Sequence, residues 1–276
     1  MKNLQNFTKQ HDVLLCIDSD GTAIDAMTCK HRLAHGPCLI AEWQLEDHRD
    51  EVFELWFSIN LRGKHRGVNR FVALVICLEE LKARGLINDD IAPLKKWVET
   101  TDKWSNDSIL AAIEKSNAEV LKKAYSWACA LDANIAKISS DDKRVFDGVK
   151  EFLQYVCGKV DIAVVTGATA NSIQEEWDHF GISQYVSVLT GQEIGQKKDC
   201  INALLALGYD KNNVMMVGDS PLDYDSATAC GVYFYPILTD KETQSWQDLK
   251  NKYLQYLFEG NFEQIQSDLI DKFLQN

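Results

Sequence analysis

Asp18-Ser19-Asp20-Gly21-Thr22 directly follows the apolar run Val13-Leu14-Leu15-Cys16-Ile17. The run is short, continuous and β-prone, the pattern of a strand buried on both faces of a parallel sheet. It ends in two carboxylates separated by one residue, then a glycine that lets the chain turn sharply. Ligands of open α/β sheets bind outside the carboxyl ends of the strands, so both aspartates stand where chemistry is done. One can act as nucleophile and the other as general acid/base. An Asp-Gly turn after a strand is also a common structural feature. The rest of the chain has to decide between the two.

The 276 residues suffice for one large domain or two modest ones. A composition of 46% hydrophobic and 25% charged residues is that of an ordinary globular protein. No apolar stretch reaches membrane-spanning length, since Phe71 to Leu78 is broken at once by Glu79 and Glu80. The first residues, Met1 to Asn6, lack an apolar signal core, and the eight cysteines show no paired framework. Both point to a reducing cytoplasm. A net charge of −12 argues against a nucleic-acid partner, which needs clustered Lys and Arg. It leaves room for a small phosphorylated substrate, because a metal ion held by aspartates can supply local positive charge.

Further strands are expected at Val160–Thr166, Val186–Thr190, Val214–Gly218 and Val232–Ile237, separated by helices over Asn171–Phe180, Asp199–Leu207 and Asp223–Cys230. Strand alternating with helix specifies a parallel sheet with right-handed crossovers. Between Asp25 and Asp141 the pattern is helical throughout. Phe71, Leu74, Val75, Leu78 and Leu81 form one apolar stripe ending at Gly85, and other helices are expected in Ala41–Ile59, Pro93–Thr100, Asp107–Ser116 and Glu119–Lys137. The expected organisation is therefore an α/β core of residues 1–24 and 141–240 and a helical insert of residues 25–140. Helices of residues 241–276 would pack on the core.

Three more strand ends carry chemistry. Thr166-Gly167 offers a hydroxyl and backbone N–H groups at a helix approach, an oxyanion-binding corner. Gly218-Asp219-Ser220-Pro221-Leu222-Asp223 places two acids four residues apart after a buried strand, suited to a divalent ion that prefers oxygen. Asp223 also fits a helix N-terminal cap. Between them, Lys197-Lys198 precedes a helix, where an ammonium could neutralise phosphoryl oxygens. The apolar face of Ile201, Leu204 and Leu205 favours Lys197, with Lys198 the alternative.

Together these pieces resemble the four signature motifs of the haloacid dehalogenase-like (HAD) superfamily. Asp18 to Thr22 is similar to the first motif, Thr166 supplies the hydroxyl of the second, Lys197 the lysine of the third, and Asp219 with Asp223 the acids of the fourth. The resemblance implies a Rossmann-like core with an inserted helical cap of the C1 type. It implies a phosphatase that forms an aspartyl-phosphate on Asp18, with Asp20 as general acid/base and Thr166 and Lys197 holding phosphoryl oxygens. Gly21, Thr22 and Gly167 would border the phosphoryl group. Mg²⁺ would be held by Asp18, the Asp20 carbonyl and Asp219, with Asp223 ligating through water or orienting the others. Dehalogenases of the family lack the second aspartate, and its mutases often carry Val where Thr22 stands. A phosphomutase and a non-catalytic phosphometabolite-binding protein are the alternatives.

In the insert, Lys30 and His31 are candidate substrate contacts, because the segment after the first motif forms a flap in such enzymes. Cys29, His31, His35 and Cys38 could also be read as a tight zinc site. Arg66 and Arg70 lie in a basic cluster that opens an apolar helix. Arginines there oppose the helix dipole and point to an anion, which makes Arg66 and Arg70 candidate substrate contacts; the alternative is a solvated loop.

Overall fold

Leu14–Ile17 is a strand with all four side chains buried, and its neighbours on both sides are parallel strands. The computed structural model of the chain describes residues 2–62, 65 and 68–275. Its sheet contains β1 (Lys2–Asn3), β2 (Leu14–Ile17), β3 (Asp161–Val165), β4 (Val188–Thr190), β5 (Val214–Gly218) and β6 (Tyr233–Pro236) in the order β1-β4-β3-β2-β5-β6. All pairings are parallel. The five strands expected from sequence are present, and β1, a two-residue edge strand paired with Val188 and Leu189, is an addition.

The chain divides into two compact units, Met1–Ala26 with Ser140–Asn276, and Met27–Ser139. In the first, alternate strand residues feed two cores, as the period of two requires. Leu15, Ile17, Ile162, Val164, Met215 and Val217 face one core, which includes Phe152, Trp177 and Trp246. Leu14, Cys16, Ala163, Val165, Val214 and Met216 face the other, with Ile201 and Leu204. Continuous apolar strands follow from a sheet covered on both faces.

The second unit is helical: α1 (Ala26–Lys30, which begins at the unit boundary), a π-turn over His31–His35, α2 (Gly36–Trp43), α3 (Arg49–Asn60), α4 (Arg70–Ala83), α5 (Ala92–Thr100), α6 (Asn106–Ser116) and α7 (Glu119–Ile135). Its core gathers Trp56, Phe71, Leu74, Leu78, Leu81, Trp127 and their neighbours. The helices of the first unit are α8 (Val149–Val156), α9 (Ala170–His179), α10 (Lys197–Leu205), α11 (Pro221–Cys230), α12 (Glu242–Asp248), α13 (Leu254–Phe258) and α14 (Glu263–Leu274). Among the described residues no helix is long and apolar enough to cross a membrane.

One expected helix, Ala41–Ile59, is two. Gln44 takes the left-handed conformation at φ 57, and the Leu45 N–H returns to the Ile40 carbonyl at 2.9 Å, ending α2 before α3 starts at Arg49. A glycine usually fills such a position, so the break leaves no conventional mark in the sequence. Gln44 is exposed, and Gln44→Gly should therefore stabilise the protein by about 0.5–1 kcal/mol through relief of left-handed strain. Gln44→Val should destabilise it; urea denaturation of the two variants checks the sign.

Candidate active site

The central position of β2 decides what meets at its end. Ile17 is level with Val164 on β3 and with Val217 on β5, so the residues just past these three strands are neighbours. Strand order runs outward from β2 in both directions, the switch point at which open sheets bind ligands. The Asp18 N–H still bonds to the Val217 carbonyl at 3.0 Å. The chain then turns, and Thr22, Ala23 and Ile24 all donate to the Ser19 carbonyl.

Asp18, Asp219 and Asp223 are all buried, and they offer oxygens within 4.8 Å of one another. Lys197, the first residue of α10, places Nζ 2.8 Å from Asp18 Oδ1 and 2.6 Å from Asp223 Oδ1. Lys198 is exposed, so of the two lysines Lys197 is the one that pairs with Asp18 and Asp223. The Thr22 hydroxyl lies 2.7 Å from Asp219 Oδ1 and 3.3 Å from Asp18 Oδ2, directing its single proton chiefly to Asp219. Gly21 has φ +86, and a Cβ there would fall 2.7 Å from Asp219 Oδ2. Only glycine fits this approach.

Asp223 caps a helix and holds a lysine. Its Oδ2 accepts from the Ser220 N–H and hydroxyl at 3.1 and 2.6 Å, completing a capping box at the start of α11. Its Oδ1 holds Lys197. The Ser-x-x-Asp spacing made this cap readable, whereas the bond from Trp177 Nε1 to Ser19 Oγ at 2.9 Å had no sequence signal.

Thr166 is buried beyond β3. Its oxygen accepts the Ala168 N–H at 3.1 Å, which leaves the hydroxyl proton to donate. The oxyanion corner expected here is partly filled by the protein itself, because the Ala170 N–H at the start of α9 is taken by the Glu193 carboxylate. Gly167 is exposed and Asp20 half-buried.

Electrostatics follow from three carboxylates around one ammonium. Burial pushes the Asp18 carboxyl well above its usual range; Lys197 pulls it back, while Asp223 and Asp219 push it further. Burial draws the Lys197 ammonium down, but Asp18 and Asp223 more than offset this and hold it above the ordinary lysine range. Hard carboxylate oxygens with excess negative charge form a donor set that fits Mg²⁺.

In the helical unit the expected ligand groups have protein partners. Cys29, His31, His35 and Cys38 do not form a zinc site: among the described residues, the group with metal-ligand convergence is Asp18, Asp219 and Asp223. His31 Nδ1 accepts the Trp56 indole N–H at 2.8 Å, which puts the imidazole proton on Nε2. Its ring stacks on His35 at 4.3 Å, and Cys38 Sγ takes the Asn134 amide at 3.1 Å. Burial, with Lys30 adding to it, lowers the His31 pKa to about 4, so the ring is neutral at physiological pH. His31 is buried and Lys30 half-buried. Arg70 does have an anion beside it, but the anion is protein. Its guanidinium pairs with Asp132 and bonds Asn106 at 2.9 Å, tying α4 to α6 and α7. Arg66 lies outside the described residues.

A family model for haloacid dehalogenase-like hydrolases matches residues 91–237, and the chain belongs to that family. The matched span holds Thr166, Lys197, Asp219 and Asp223, while Asp18 to Thr22 precede it. No curated protein matches the sequence. Among solved structures the chain is similar to a haloacid dehalogenase-like family hydrolase of Streptococcus pneumoniae, with 13% identity, 85% of this chain and 90% of that chain covered, and a TM-score of 0.43. It is also similar to a HAD-superfamily hydrolase of subfamily IA from Geobacter sulfurreducens, at 15% identity, coverage of 83% and 90%, and a TM-score of 0.40. A chain described as a predicted phosphatase from Clostridium acetobutylicum shares 13% identity over 89% of this chain and all (100%) of that one, with a TM-score of 0.46.

The buried charge imbalance gives opposite expectations for two substitutions. Asp18→Asn removes one of three like charges and should raise stability by about 1–2 kcal/mol in chelator-treated buffer. Lys197→Met strands the carboxylates without their cation and should cost about 3–5 kcal/mol. Thermal unfolding of both variants without added metal measures the difference.

Proposed function

We propose that the chain hydrolyses phosphate monoesters of small metabolites, with Asp18 as nucleophile. The observation that carries this reading is the Lys197 ammonium 2.8 Å from Asp18 Oδ1, at the end of the central strand, beside Asp219. Phosphoryl transfer spreads charge over three oxygens and is catalysed mainly by positioning and electrostatics. A carboxylate beside a fixed ammonium meets both needs. Asp18 would attack phosphorus, displacing the ester oxygen and forming an acyl phosphate.

Asp20, one residue beyond Ser19 and half-buried at the same loop, would give its proton to the departing alkoxide. As a carboxylate it would then take a proton from the water that hydrolyses the acyl phosphate, restoring both aspartates. Lys197 and the Thr166 hydroxyl would hold phosphoryl oxygens. Gly21, Thr22 and Gly167 would border them, the Thr22 hydroxyl keeping Asp219 and Asp18 in register. Asp223, with both oxygens engaged by Lys197 and Ser220, would orient the lysine rather than act on substrate. Mg²⁺, held by Asp18, Asp219 and the Asp20 carbonyl, would supply the remaining positive charge for the phosphoryl oxygens.

The test is phosphate release from p-nitrophenyl phosphate, with and without Mg²⁺, by wild type and Asp18→Asn. The reading predicts metal-dependent turnover that the substitution lowers by about 10³-fold or more. Turnover that survives the loss of Asp18 would contradict it.

A further inference from the structure

Thr22 is held from two sides, one of them far away in sequence. Its hydroxyl bridges Asp219 and Asp18, while its main-chain carbonyl accepts the indole N–H of Trp246 at 3.0 Å. Both residues are fully buried. Trp246 lies on α12, in the C-terminal segment expected to pack on the core.

The indole is itself fixed. Its ring centroid is 5.1 Å from that of Phe152 on α8. Gly148, at φ +92, lies so close that a Cβ there would come within 3.2 Å of the Trp246 Cβ. The helix that carries it is tied to the end of β6. The Tyr235 hydroxyl donates to the Ser245 carbonyl at 2.7 Å, and the Leu238 N–H donates to the Ser245 hydroxyl at 3.1 Å.

Packing alone does not require this bond. In the core of the helical unit Trp56 bonds His31, whereas Trp43, Trp97 and Trp127 leave their buried indole N–H groups without an acceptor among the described residues. Trp177 and Trp246 instead direct theirs to Ser19 and Thr22, the two ends of the turn that follows Asp18. A buried N–H bonded to a main-chain carbonyl fixes the orientation of that peptide.

We propose that Trp246 is a positioning residue for the active site, making the C-terminal segment a working part of it. The proposal rests on the phosphatase reading of Asp18 and Asp219. The indole sets the Thr22 peptide, the peptide aims the Thr22 hydroxyl, and the hydroxyl spaces two carboxylates just past neighbouring strands. Without the donor, the turn relaxes and the carboxylates lose their common proton.

Trp246→Phe keeps an aromatic ring and removes the donor. Replacement of Trp246 by β-(3-benzothienyl)alanine keeps the bicyclic shape as well, and serves if the Phe variant does not fold. Phe262→Leu is the control, a buried core change that packs on Tyr233. Two readouts are compared: kinetics on p-nitrophenyl phosphate with Mg²⁺, and deuterium exchange of the Asp18–Asp25 backbone without substrate. Loss of the donor should lower kcat by about 10-fold or more with KM changed less than about 2-fold, and should speed exchange in that segment. The control should leave both near wild type. Donor-free variants that match the control in either readout would overturn the proposal. A wild type inert toward phosphate esters would contradict the phosphatase reading, and the exchange comparison would still decide whether Trp246 holds the loop.

Discussion

Three buried carboxylates share one buried ammonium, and the architecture of the site answers to that imbalance. Asp18, Asp219 and Asp223 cannot approach within 4.8 Å of one another in a dry interior without a cation among them. Lys197 supplies one positive charge and is gripped by two of the three. Two demands follow, that the clustered charge be offset and that a hydroxyl supply a proton to it. Thr22 meets the second demand from the turn beside Asp18. A site of this kind is poised for chemistry and costly to stability, the usual relation between a functional site and its fold.

The sheet makes the imbalance possible. β2 lies between β3 and β5 in level register, so three loops emerge side by side at one edge. Strands buried on both faces are rigid, and they fix the spacing of the carboxylates more firmly than loops could. Gly21 extends this logic to the backbone, since its missing Cβ lets the turn lie against Asp219. The capping box at Ser220 and Asp223 does the same for α11, using one carboxylate to finish a helix and to orient a lysine.

Much of this was legible in the sequence because burial writes itself plainly. The strands lie in largely apolar stretches, and Asp18, Thr166 and Asp219 directly follow three of them. The apolar face of α10 favoured Lys197, the lysine that lies beside Asp18, and left Lys198 as the alternative. Other features left weaker marks. The break at Gln44 uses a left-handed residue that is not glycine, and β1 is too short to show a period. The cysteine and histidine spacing of the helical unit was compatible with metal, yet Trp56 and Asn134 occupy His31 and Cys38. The indole donors of Trp177 and Trp246 act across 158 and 224 residues. No local pattern encodes such partners.

The proposed hydrolysis requires that Asp18 carry the phosphoryl group. An acyl phosphate on aspartate is reduced by borohydride to homoserine, which marks the residue covalently. Wild-type protein quenched during turnover of a phosphate ester, reduced and analysed by peptide mass spectrometry should carry homoserine at position 18, in an amount that falls when substrate is omitted. Turnover without reduction at Asp18, or reduction at another aspartate, would contradict the account.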